Sequence, residues 1–298
     1  MPIRIGTASH DSTFLSQGNA LKIVLDRDPA LAPVEVKVSP GDSVENARRL
    51  DENDIDFGFT ASNWIGRAKN GEPPFDRATD VRMVAPVNAG PLFFITRAET
   101  PLRKVTDLRG RRVAVGQEKS GMTQHAHLIL RILGLTFSDI MPLYLDFAGG
   151  ADALARGEVD AQFQCPVPNK IMTALAERTA LRVLTYQPGE LEAVLKAVAF
   201  YRRAVMRKGA IRGLDADTAQ PGVVNILMTH ARVPDDTVRA VTSAIIAARE
   251  ELPRLNALFT GMTELFDSLP AQGAQSIEFG GVVLHPGALA AYKAAGLL

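Results

Sequence analysis

Along the first sixty residues the apolar positions switch between a period of two and a period near 3.6, as strands and helices in alternation require. Ile3 and Ile5 lead into the small-residue loop Gly6, Thr7, Ala8, Ser9, and Leu21, Val24 and Leu25 then form one helical apolar face. Val34, Val36 and Val38 alternate as a strand, and Asp42 with Glu45 three residues on predicts a capped helix ending near Leu50. The apolar run at 55–59 is the next strand, so the segment reads βαβαβ.

The same order returns later in the chain. A strand at 112–116 runs into a loop from Gln117 to Gly121, and a helix follows with Leu128, Ile129, Ile132 and Leu133 on one face, closed by Gly134. A strand at 142–147, a short helix at 150–156 and a strand at 159–163 complete the set. Two versions of one βαβαβ plan predict two α/β lobes with mostly parallel sheets. Stretches 81–87 and 92–97 carry the chain out of the first lobe and 222–230 brings it back. The expected division is therefore 1–92 and 218–298 for one lobe and 93–217 for the other. Beyond the return, Val238, Val241, Ile245 and Leu252 form a helical stripe that opens a mostly helical C-terminal stretch.

Composition narrows the classes of function. The 298 residues carry 33 Lys+Arg against 33 Asp+Glu, with no long basic run, which argues against a nucleic-acid partner. The one cysteine, Cys165, supports neither an intramolecular disulfide nor a cysteine zinc site. No apolar run reaches the roughly 18 residues of a spanning helix, and the first ten residues lack the basic head and apolar stretch of a secretory signal. From the residues alone the expectation is a soluble, unexported protein.

Open α/β sheets bind ligands beyond the carboxyl ends of their strands, where helix N-termini offer backbone N–H groups. Both lobes place hydroxyl-rich loops there: Thr7, Ser9, His10, Ser12 and Thr13 in the first, Lys119, Ser120, Gly121 and Thr123 in the second. If the lobes face each other, these loops wall one cleft suited to a small anion such as a carboxylate, with Lys119 adding positive charge. The same hydroxyls can equally serve as helix caps. Asn63 and Trp64, after the strand at 55–59, either line the cleft mouth or pack in the core.

Other chemistry is weakly supported. His125 and His127 are two apart on a helix and point to different faces, so they do not share a metal. HExxH, GxSxG and GxxxxGK[ST] are absent. His10, Asp11 and Ser12 are sequence neighbours, which rarely gives triad geometry, and Cys165 ahead of Pro166 reads as buried and inert. No catalytic residue, metal or cofactor is expected.

The chain resembles the TAXI-type solute-binding proteins of tripartite ATP-independent periplasmic (TRAP) transporters. The resemblance runs through IGTAS at 5–9, SVENARRL at 43–50, DIDFGFTASN at 54–63, DLRGRRVAVG at 107–116, ALARGEVDAQF at 153–163 and VVLHPGALAAY at 282–292. It implies a type II periplasmic-binding-protein fold with two Rossmann-like lobes joined by a hinge. It also implies capture of a small organic acid or amino acid and delivery to TRAP membrane permease subunits, hence a periplasmic location. The ligand-facing positions it implies are Thr7, Ala8 and Ser9, then Thr60 to Asn63 including Ser62, and Ser120 to Thr123. The family's Gly-Ser-Gly-Thr turn reads Lys119, Ser120, Gly121, Met122 here, with Thr123 one place later. His10 and Lys119 join the candidates from the loop argument. Two alternatives stay open: a cytoplasmic sensor of the same kind of ligand, and a two-lobed enzyme using His10, Asp11, Lys119 or Cys165.

Overall fold

Strand β1 (Ile3–Gly6), helix α1 (Thr13–Leu25), β2 (Val34–Lys37), α2 (Asp42–Asp51) and β3 (Phe57–Ala61) follow the expected order, and α3 (Ser62–Asn70) leaves β3 directly. This is a computed structural model, and it describes residues 2–298 apart from Asp11, Pro40, Gly41, Lys119, Cys165, Pro166 and Pro168. After β4 (Val81–Pro91) and β5 (Phe93–Arg97) come β6 (Arg112–Ala114), α4 (Gly121–Ile132), β7 (Met141–Leu143), α5 (Phe147–Arg156) and β8 (Ala161–Gln164). The chain continues through α6 (Lys170–Arg178), β9 (Leu181–Val183), α7 (Glu190–Ala197), β10 (Tyr201–Met206), β11 (Thr218–His230) and α8 (Asp235–Ala247). Short helices then lead to a last helix, Pro286–Ala294.

Two compact units result: Met1–Ala89 with Val223–Leu298, and Gly90–Gly222. The chain passes between them within β4 and within β11, where the sequence placed the divisions at 92/93 and 217/218. In the first unit β1 pairs in parallel with both β2 and β3, and β11 lies antiparallel on β3. In the second, β6 pairs in parallel with β7 and β8, and β5 lies antiparallel between β8 and β9. Each sheet is thus a parallel βαβαβ triplet extended by antiparallel strands, the two-unit α/β fold the periodicity predicts.

The duplication extends to individual hydrogen bonds. Arg4 and Asp56 form a latch: the Arg4 N–H donates to Asp56 Oδ2 at 2.8 Å and its Nη2 to Oδ1 at 2.7 Å. Arg112 and Asp160 repeat it at 2.9 and 2.8 Å. The neighbouring antiparallel strand contributes a threonine in each case, with Thr229 donating to the Asp56 carbonyl and Thr96 to the Asp160 carbonyl, both at 2.7 Å. Each latch ties the amino ends of the first and third strands together and leaves the carboxyl ends to the loops. Arg112 holds the Asp160 carboxyl below the usual range, chiefly through that hydrogen bond.

Sheet faces fill with apolar side chains by strand alternation. In the first unit Phe59 stacks on Phe14 of α1 at 5.4 Å between centroids. In the second, Phe93, Ile95, Ala114, Ala151, Leu154 and Met172 belong to the buried layer under α5 and α6, while Phe94 meets Phe163 at 4.7 Å. Two local expectations change. The strand expected at 142–147 stops at Leu143, because the Asp146 side chain accepts the Gly149 N–H and starts α5 early. The expected Asp42–Glu45 capping pair does not form: Glu45 pairs with Arg48, and the Asp42 carboxyl instead takes the N–H of Ser9.

The lone imidazole between α4 and β10 gives the second unit a pH dependence. His125 Nδ1 lies 2.7 Å from the Tyr201 hydroxyl, with the Phe200 and Tyr201 rings at 6.1 and 5.6 Å. Burial pushes its pKa down to about 4. Between pH 6.5 and 4 the unfolded chain therefore binds the extra proton, and stability falls as the pH drops through that window. Urea unfolding at pH 7 and pH 5 should show a loss of about 2 kcal/mol from this group. The Gln variant at position 125, His125→Gln, should lack that part of the loss; an unchanged difference would show that His125 is not its source.

Candidate functional site

Both triplets share a wiring feature. From β1 the chain crosses to β2 on one side and returns over β1 to β3 on the other; β6, β7 and β8 do the same. With right-handed crossovers the two helices of each triplet cover opposite faces, and a crevice opens beyond the carboxyl ends of the first and third strands. In the first unit it lies beyond Gly6 and Ala61, in the second beyond Ala114 and Gln164.

Asn46, fully buried on α2, sets the first crevice. Its Nδ2 donates to the Thr7 carbonyl at 2.7 Å and to the Phe59 carbonyl at 2.9 Å, tying the turn after β1 to the middle of β3. Gly6 makes room for it: a Cβ there would stand 2.5 Å from Asn46 Oδ1. The hydroxyls around the crevice mostly serve the frame. Thr7 Oγ1 donates to the Lys37 carbonyl at 3.0 Å, Ser12 caps α1, and Ser62 Oγ accepts the Val224 N–H at 3.1 Å. Ala8 and Thr60 are buried, Asn63 is half-buried, and Ser9 and His10 are exposed. The Ser9 N–H is already occupied by the Asp42 carboxyl, whose pKa is raised by desolvation and drawn back by that bond.

Among the helix starts that leave parallel strands and have a described N-cap, one differs from the others. Ser12, Ser120, Asp146 and Asn169 cap α1, α4, α5 and α6 with a side-chain acceptor, whereas α3 has Ala61 at its N-cap and no side-chain cap. Ala61 offers no side-chain acceptor to its first turn, which carries the partial positive charge of a helix start. Trp64 on this helix packs edge-on to Phe75 at 6.3 Å with the Arg67 guanidinium over its ring, which fixes the helix end against its surroundings.

In the second unit Ser120 accepts the Thr123 N–H at 3.2 Å, and Thr123 Oγ1 donates to the Gln117 carbonyl at 2.7 Å. Gly121 is exposed and Met122 half-buried in that turn. Lys119, like Asp11 and Cys165, lies outside the described residues. The structure thus gathers Thr7, Ala8, Ser9 and His10 with Thr60, Ser62 and Asn63 at one crevice, and Ser120, Gly121, Met122 and Thr123 at the start of α4. Sequence reasoning included Ala61 only within the range Thr60 to Asn63 and passed over Asn46, Gln162 and Gln164. A signal existed for two kinds of these: Asn46 shares the buried face of α2 with Ala47 and Leu50, and Gln162 and Gln164 are polar residues in a strand buried on both faces.

Among the described residues no helix is long and apolar enough to cross a membrane, and no group of three or more His, Cys, Asp or Glu is placed to hold a metal ion. The fold is of the periplasmic-binding-protein type seen in solved structures that it resembles. A TctC solute-binding protein from Polaromonas shares the fold at a TM-score of 0.60 and 15% identity, over 94% of this chain and 97% of that one. The periplasmic aliphatic sulphonate binding protein SsuA from Escherichia coli matches at 0.52 and 20% identity, over 87% and 74%. The SsuA protein from Methylobacillus flagellatus matches at 0.53 and 15%, over 100% and 88%. The chain belongs to the NMT1-like family, whose profile matches residues 5–296.

Proposed function

We propose that the chain is a non-catalytic solute-binding protein that holds a small organic anion, a carboxylate or an amino acid, at the strand-end crevices. The observation that carries this reading is the uncapped start of α3, an anion site in a frame where the other helix starts leaving the parallel strands and described here are capped from within. The residues put forward for contact are, in the first unit, the turn at Thr7 to His10 and Thr60 to Asn63, and, in the second, Ser120 to Thr123 with Lys119. The Escherichia coli protein is a periplasmic aliphatic sulphonate binding protein and the Polaromonas protein a solute-binding protein, which supports the same kind of role here.

More finely, we read it as the extracytoplasmic capture subunit of a TAXI-type TRAP transporter, delivering its ligand to membrane permease subunits. The support is where the six resembling segments fall. Segment 5–9 ends β1, 43–50 holds Asn46, 54–63 runs β3 into α3, and 153–163 runs α5 into β8. A thermal-shift panel of C3 to C6 mono- and dicarboxylates, amino acids, aromatic acids and alkanesulfonates tests the general role. A matching ligand at a hundred times its Kd stabilises by about 2.7 kcal/mol, a shift of several degrees. A flat response across the panel, or turnover of the bound compound, would overturn the reading.

A further inference from the structure

Within the second unit, helix α6 and the loop that joins β10 to β11 line a cavity of about 420 Å³. That volume is in the range of small-molecule sites. From α6 it takes Met172, Thr173, Ala176 and Glu177, a stripe along one face of the helix, and from the loop Ile211 and Arg212.

The loop wall is built to keep its shape. Arg207 Nη1 and the Lys208 N–H both donate to the Asp217 carboxylate at 2.8 Å, which clamps the two ends of the loop together. Inside the clamp the Gly209 N–H donates to the Leu214 carbonyl at 2.9 Å, and the Leu214 N–H to the Ile211 carbonyl at 3.0 Å. Gly213 has φ 94° and lies so close to β9 that a Cβ on it would be 3.1 Å from the Leu181 carbonyl oxygen. Ile211 is sunk in the buried layer with Met172 and Ala176. Both walls are therefore fixed, and the gap between them does not close by collapse.

Floor and rim differ in chemistry. Met172, Ala176 and Ile211 are buried and give an apolar floor, while Glu177 and Arg212 at the rim are exposed. Neither of these two charged side chains has an ion pair or hydrogen bond among the described residues. A carboxylate and a guanidinium thus line one cavity without meeting each other.

We propose that this cavity is a second binding site, for an α-amino acid with an aliphatic side chain. The ligand carboxylate pairs with the Arg212 guanidinium, its ammonium group with Glu177, and its side chain covers Met172, Ala176 and Ile211. A zwitterion answers both rim charges at once. A simple carboxylate sets a second negative charge beside Glu177, and a simple amine a second positive charge beside Arg212. The site stands apart from the solute-binding reading above, because its walls belong to the second unit alone and include none of the residues put forward there.

The test is to follow backbone amide ¹H–¹⁵N resonances of the full chain while L-leucine, L-alanine, 4-methylpentanoate and 3-methylbutylamine are titrated separately. Leucine should shift the amides of Thr173, Glu177, Ile211 and Arg212 saturably. Alanine should bind there at least about tenfold more weakly, since it keeps both charges but loses three carbons of apolar burial. The acid lacking the amine and the amine lacking the acid should each bind about fivefold more weakly than leucine, as the loss of an ion pair at an open rim implies. Arg212→Gln and Glu177→Gln should each weaken leucine by the same factor of about five, and both should unfold at the wild-type temperature because the side chains they replace are exposed and unpaired. Equal affinity for leucine and 4-methylpentanoate, or undiminished leucine binding by both variants, would overturn the zwitterion class. Leucine leaving those four amides unmoved overturns the site; if it moves Ser62, Asn63 and Trp64 instead, the solute-binding reading stands without it. Saturable shifts at the four amides, with no acid of the panel acting at α3, uphold this site and overturn the other.

Discussion

Ala61→Asp should make the free protein harder to unfold and at the same time cut its affinity for small anions at least tenfold. Ala61 sits at the N-cap of α3 with φ −105° and ψ 153°, the extended geometry from which a capping side chain bonds the first turn. An aspartate there accepts from the N–H of Asn63 or Trp64 and is favoured by the helix dipole, a gain of about 0.5–2 kcal/mol. The same carboxylate fills the place reserved for the ligand and repels a second negative charge. Stability and binding therefore move in opposite directions, which a merely damaging substitution does not do. Calorimetric unfolding without ligand, followed by titration with whichever acid of the panel shifts wild type, checks both halves. Ala61→Asn, which caps without charge, should keep the stabilisation and lose less affinity. Undiminished binding by Ala61→Asp would move the site away from α3.

The second large effect is on the frame. Asn46→Leu removes both hydrogen bonds that tie the turn after β1 to the middle of β3 and leaves the carbonyls of Thr7 and Phe59 buried without that donor. Two orphaned acceptors at about 1–3 kcal/mol each put the loss at about 2–6 kcal/mol. Urea unfolding should show the midpoint falling with little change in slope, since the surface exposed on unfolding is nearly the same. Affinity should weaken too, because the turn after β1 and the start of α3 are held in register by this one side chain. A loss below about 1 kcal/mol would mean that the crevice is set by the strands alone.

Much of the fold was readable because it rests on local periodicity. The alternation around Ile3, Val34 and Phe57, repeated around Val113 and Phe163, required two βαβαβ units, and the structure repeats even the Arg4–Asp56 latch as Arg112–Asp160. The latches themselves were not readable, since each joins residues about fifty positions apart and no short-range pattern marks the pair. The site was legible as a location more than as a set of atoms. Sequence places Thr7, Ser62, Ser120 and Thr123 at strand ends but does not say which way a hydroxyl turns, and here each bonds within the frame. The feature that distinguishes the first crevice is a missing cap at Ala61. It is the absence of a partner, which shows only once the neighbours are in place. The early start of α5 has the same origin: Asp146 reads as part of an apolar strand until its side chain is seen to bond Gly149.

The central claim, that an organic anion settles on the start of α3, is tested most directly by following backbone amide ¹H–¹⁵N resonances while the acids of the panel are titrated into the labelled protein. The account predicts that the largest shifts fall on the amides of Ser62, Asn63 and Trp64, in the direction of a stronger hydrogen bond. Saturable shifts confined to surfaces remote from this helix start, with these three unmoved, would contradict it.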